Sequence, residues 1–160
     1  MFDSYQVALE DAQANFSPNV KLYALVPSQI MQRNLGQLPV MPGWFFKFKV
    51  EGLPREYIVL VINGQSAGVT EAEPVVQVLP LDLPIDMSAV KISSDQVLAG
   101  FLKKAPELGL TVTDPFTYDL ELVNLEGQSG PVWSVYDPIS LKWLYAMSAT
   151  TGEELPNPRS

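Results

Sequence analysis

Directly after an apolar run, Gly64-Gln-Ser66-Ala-Gly68 reproduces the G-x-S-x-G spacing of a nucleophile elbow. An elbow works because a strand-to-helix turn exposes the serine to a histidine base and to backbone N–H groups that hold an oxyanion. This chain contains no histidine, no lysine stands near Ser66 to form a Ser–Lys dyad, and residues 69–74 make a poor helix start. The pattern therefore reads as a glycine-rich turn, and a Ser66-dependent hydrolase is the least favoured of three functions. The carboxylates give little more. The closest pairs are Glu71 with Glu73, Asp82 with Asp86, and Asp119 with Glu121. None has the D-x-[DN]-x-[DN]-G spacing of a calcium loop. Asp119 and Glu121 alternate with Leu120 and Leu122, as on the solvated face of a strand. A glycosidase-like carboxylate pair has no specific signal behind it. Cysteine is absent as well as histidine, which removes disulfides, thiolate chemistry and the usual transition-metal ligands. No catalytic, metal or cofactor residue is assigned.

What remains is a set of aromatics, and the elements that carry them. Trp44, Phe46, Phe48 and Val50 alternate with Phe45, Lys47, Lys49 and Glu51, the period of a half-buried strand. A turn at 52–55 follows, and Tyr57-Ile-Val-Leu-Val-Ile62 returns as a continuous β-branched and apolar run, ending at the turn dipeptide Asn63-Gly64. This second run is apolar on both faces, and Phe45 points away from Trp44 and Phe46. Short helices can cover one face of such a sheet. The other calls for the polar loop 28–42, a homodimer mate or a protein partner. Trp44, Phe45, Tyr57, Trp133, Tyr136 and Trp143 are the partner-surface candidates, against the plainer reading that large aromatics are core.

The whole composition bounds the answer. At 160 residues the chain fits one domain or two half-domains sharing a sheet. Its net charge is −8, which disfavours nucleic acid and anionic membranes as partners. No apolar run reaches the ~18 residues of a membrane span. The first residues show no basic or apolar leader region, so the chain is either cytoplasmic or a form whose leader is missing.

In order, the spacing predicts a helix over 3–15, with Asp3 and Gln6 shaped as a capping box and Val7, Ala8, Ala12 and Phe16 as its stripe. A strand follows at 20–26, then the loop 28–42 and the aromatic ribbon. Residues 70–92 read as a proline-rich connector or edge strand. The second half opens as the first did: Ser93 caps a helix with Gln96 three residues on, Val97, Leu98, Phe101 and Leu102 form its stripe, and Pro106 stops it. Short strands are expected at 110–113 and 118–125, and a second ribbon at 132–136 and 142–149. The order helix, strands, aromatic ribbon thus occurs twice, at a spacing of roughly ninety residues.

Gly130-Pro-Val-Trp-Ser-Val135, a turn, and Trp143-Leu-Tyr-Ala-Met-Ser-Ala-Thr-Thr-Gly-Glu-Glu-Leu155 resemble the C-terminal part of a PepSY domain, with Ser148 where that family often has Asp. The helix from Ser93 fits the family's order, and the first half fits in outline. The resemblance implies a helix packed on an antiparallel sheet and a non-catalytic module, secreted or envelope-associated, that modulates peptidases or other partners. A tandem pair also resembles the plan of β-lactamase-inhibitor proteins, although those rely on disulfides. The expectation is therefore an α+β protein of two helix-plus-antiparallel-sheet repeats, cystatin- or PepSY-like: 1–69, a connector 70–92, and 93–160. Its leading function is a non-enzymatic interaction or regulatory module, extracytoplasmic or in the cell envelope. The alternative is a carrier of a small apolar ligand.

Overall fold

The computed structural model describes residues 1–27, 43–72, 83–114, 117–137, 139–140 and 142–156. The elements run α1 (Phe2–Asn15), β1 (Lys21–Pro27), β2 (Gly43–Lys49), β3 (Glu56–Ile62), β4 (Gln65–Ala72), a 3₁₀ turn (Met87–Ala89), α2 (Ser94–Lys104), β5 (Asp119–Val123), β6 (Val132–Tyr136) and β7 (Trp143–Ser148). The strands form one seven-stranded sheet in the order β4-β3-β2-β1-β5-β6-β7, and every described pair is antiparallel. This is an α+β protein. The loop expected at 28–42 and residues 73–82 of the connector, Glu73 and Asp82 among them, lie outside the described residues.

The ribbon forms where its alternation requires. β2 and β3 pair along their whole length, Trp44 opposite Val61 and Phe48 opposite Tyr57. Phe46, Phe48, Val59 and Val61 are fully buried on one face. Asn63 (φ 51°) and Gly64 (φ 74°) are both left-handed, the geometry of a two-residue hairpin whose twist matches its strands. The turn delivers the chain into β4, so Ser66 stands in a strand and not at the head of a helix.

Both helices lie on the same face of the sheet. Ala8 and Ala12 of α1, Val97 and Phe101 of α2, and Phe46, Val59, Leu122, Trp133 and Tyr145 of the strands belong to one core cluster. Gly100 lets α2 approach: a Cβ there would fall 2.5 Å from the Tyr145 hydroxyl. The gap between the helices is filled by the segment before α2. Leu83 N–H donates to Asn124 O (2.7 Å) and Ile85 N–H to Leu22 O (2.7 Å), while Ile85, Met87 and Val90 are buried. That segment is part of the core, laid across the junction of β1 with β5.

Several local expectations fail for identifiable reasons. α1 begins at Phe2 with Met1 as its cap and no side-chain capping bond. Asp3 therefore sits inside the first turn, where it faces the positive end of the helix dipole instead of capping it. α2 has the full capping box of Ser93 and Gln96, but Leu102 is exposed. Residues 110–113 form no strand: Leu110 N–H donates back to Ala105 O (2.9 Å) across Gly109, and Leu110 and Val112 pack on the core as coil. Asp119 is buried rather than solvated, at the end of β5 where it pairs with Tyr136 of β6.

Candidate functional site

The helix-free face of the sheet has two unlike halves. On β2 and β3, the residues opposite the core ones are Phe45, Lys47, Lys49, Glu56, Ile58, Leu60 and Ile62, since successive side chains alternate faces. Phe45 pairs with Leu60, Lys47 with Ile58 and Lys49 with Glu56. Glu56 is buried and bridges two ammonium groups, Lys49 Nζ at 3.0 Å and Lys47 Nζ at 3.5 Å. Lys49 Nζ also lies 5.0 Å from the centre of the Tyr23 ring, a cation–π distance. Tyr23 reaches it because the register of β1 slips between Leu22 and Ala24. One carboxylate held between two cations leaves a local positive excess in a chain whose net charge is −8. Beside this cluster, Phe45, Ile58, Leu60 and Ile62 are only half-buried, and among the described residues they join neither core cluster.

On β5–β7 the same face is closed. Ala24, Val123, Leu125, Val132, Trp143 and Ala146 form a second buried cluster, with Tyr136 and Leu155 packed against it. Ser134 is fully buried there, and its hydroxyl donates to Glu121 O (3.4 Å). The chain after β7 turns back along this edge: Ser148 N–H donates to Glu153 O (2.9 Å) and Leu155 N–H to Ala146 O (2.9 Å).

The six aromatic candidates do not share one surface. Trp44, Tyr57 and Trp133 belong to the helix side. Trp133 is fully buried, its indole N–H donating to Ile92 O (2.9 Å), and Trp44 packs near it with ring centres 6.5 Å apart. Tyr57 stacks on Phe16 at 3.8 Å. Phe45, Tyr136 and Trp143 lie on the opposite side, and Trp143 is buried in the second cluster. Of the six, Trp133 and Trp143 expend their surface inside the molecule. The Tyr23, Lys47, Lys49 and Glu56 cluster was not singled out from sequence. Its signal was present, since Lys47 and Lys49 share a strand face with Phe45.

Ser66 Oγ donates to Asp11 of α1, a bond that ties the sheet edge to the helix. Tyr5 and Asp86 share a groove of about 420 Å³ at the start of α1. Burial, and secondarily the Asp86 charge, push the Tyr5 hydroxyl upward. Asp86 itself is held below the usual carboxylate range, first by its bond from Ser88. Burial likewise raises Tyr145. Among the described residues, no three acidic side chains gather in a way that could hold a metal ion. No described helix is long and apolar enough to cross a membrane. No protein-family model, no curated protein and no solved structure matches this chain.

Proposed function

We propose that this protein is a non-enzymatic protein-binding module, PepSY-like in build, which engages a partner through the helix-free face of β2 and β3. The observation that carries this reading is the half-buried group of Phe45, Ile58, Leu60 and Ile62 beside the Lys47–Glu56–Lys49 cluster. Apolar area ringed by ordered charge is the usual composition of a docking patch. A repeat origin is supported by the order of the elements. In each half a helix precedes strands that run outward from the centre of the sheet, β1 to β4 and β5 to β7, and the central pair β1–β5 is antiparallel. A two-fold axis normal to the sheet produces that arrangement and leaves both helices on one face. With the PepSY resemblance of residues 130–155, the partner class proposed is a peptidase, met outside the cytoplasm or in the cell envelope.

A small apolar-ligand carrier is the second reading. It has the groove of about 530 Å³ lined by Leu102, Ala105, Pro106 and Leu110 to use, but the space between helices and sheet is filled by core side chains. The test is an inhibition assay against a panel of peptidases, run with the native chain and with Phe45→Glu and Leu60→Glu. The reading expects saturable slowing of at least one peptidase, lost in both variants while their circular dichroism stays native. Slowing that survives both substitutions, or none across the panel, contradicts it.

A further inference from the structure

The outer edge of β4 differs from every other strand border in the described structure. β4 is the last strand of the sheet order, and each residue from Gln65 to Glu71 is exposed. A Cβ added at Gly68 would meet nothing within 4 Å. The opposite edge, β7, is hydrogen-bonded by the chain's own residues 153–155. Open edges are usually protected by lysine, proline or a bulge. β4 has neither lysine nor proline. Its one irregularity, between the Leu60–Gly68 and Val61–Ser66 pairs, falls at Ala67 and leaves Gly68–Ala72 regular.

We propose that this edge binds an extended, basic peptide segment by strand addition. The inference rests on the reading of the protein as a binding module, but it uses a different surface. Main-chain geometry sets the form of the occupant. In a two-residue hairpin the residues flanking the turn, Ile62 and Gln65, exchange both backbone bonds. The antiparallel alternation then turns Thr70 and Ala72 toward β3, and the N–H and C=O of Val69 and Glu71 outward. Two outward-facing residues on one regular stretch match the alternate pairing of an added strand.

Charge sets the occupant's sign. α1 packs over this edge through the Ser66–Asp11 bond, and it carries Asp3, Glu10 and Asp11 with no lysine or arginine. At about 100° per residue, Asp3 and Glu10 lie roughly half a turn from the buried Ala8 and Ala12, on the solvent side of α1, and Asp11 stands on the flank toward β4. On the strand itself, Glu71 pairs with Arg55. A second copy is the poorer occupant. Antiparallel pairing of β4 with itself places the two-fold axis normal to the sheet, so two acidic α1 helices would stand side by side. A segment with lysine or arginine on its helix-side positions meets Asp11 and the negative field of α1 favourably.

The experiment titrates a capped peptide alternating lysine and valine into the isotope-labelled full chain, following amide hydrogen exchange. Exchange at Val69 and Glu71 is expected to slow at least about tenfold on saturation. Val69→Pro removes an outward N–H but no bond to β3, so it keeps the native amide spectrum elsewhere and weakens binding at least about tenfold. The corresponding glutamate–valine peptide binds at least about tenfold more weakly. Binding without protection of these amides, equal binding of both peptides, or unchanged affinity in folded Val69→Pro overturns the proposal. So does protection that appears with protein concentration alone, which would make a second copy the occupant. Peptidase inhibition that is unchanged in Val69→Pro but lost in Leu60→Glu separates failure of the edge from failure of the face.

Discussion

The two halves of the sheet use the same order of elements to opposite ends. In the β5–β7 half, the helix-free face is a buried cluster around Trp143, and the border is hydrogen-bonded by residues 153–155. In the β1–β4 half, the corresponding face carries ionic groups and half-buried aliphatics, and the border strand is exposed along its length. Closure buries the outer face of one half, whereas the other half is left with the surface on which the proposed docking rests. The difference teaches that aromatic content alone is a poor guide to which face of a sheet stays accessible. The tryptophans of the second half are core, and the more accessible groups of the first half are chiefly aliphatic side chains, lysines and main chain.

Substitutions that respect this division should separate by magnitude. Trp133→Ala should cost about 3–5 kcal/mol in chemical denaturation, the range for deleting a large buried aromatic. Phe45→Ala, on the half-buried face, should cost well under half of that; equal losses would break the contrast. Glu56→Gln comes next. It leaves Lys47 and Lys49 with no carboxylate between them in a mostly buried setting, and should cost about 1–3 kcal/mol. The helix starts give a smaller comparison. Ser93→Ala removes a complete capping box and should cost about 1 kcal/mol. Asp3→Ala removes only a dipole contact, worth about 0.3–1 kcal/mol.

The smallest effect is one of pH. Asp86, Glu107 and Asp137 are each held below the ordinary carboxylate range, by bonds from Ser88, from Lys104 and from the Ile139 backbone respectively. A group whose folded value lies below its unfolded one contributes stability above the unfolded value and loses it as pH falls through the folded one. A shallow decline below about pH 4 is therefore expected in thermal melts, and Asp86→Asn should flatten part of it. A decline of the same slope in Asp86→Asn would remove Asp86 from this account.

Much of the fold was legible in sequence because its signals are local. Alternation from Trp44 to Phe48, the Asn63-Gly64 turn and the Ser93–Gln96 pair each act within a few residues, and all three stand in the structure. What was not legible depends on neighbours distant in the chain. Asp119 alternates like a surface residue, yet it is buried beside Tyr136, a neighbour seventeen residues on that only the β5–β6 register brings to it. Residues 110–113 have strand-like composition, but the backbone closes onto the end of α2 through Leu110 and Ala105. The Lys47–Glu56–Lys49 cluster needed the β2–β3 register, and its Tyr23 contact needed the slip in β1. The contrast between the two borders of the sheet depended on strand order, which no short window of sequence contains.

The central claim, an open first half against a closed second half, is tested most directly by native-state hydrogen exchange of the free protein. The account predicts slow exchange at Ser148, whose N–H is held by Glu153, and fast exchange at Val69 and Glu71 under the same conditions. Protection at Val69 and Glu71 equal to that at Ser148, in dilute protein without ligand, would contradict it.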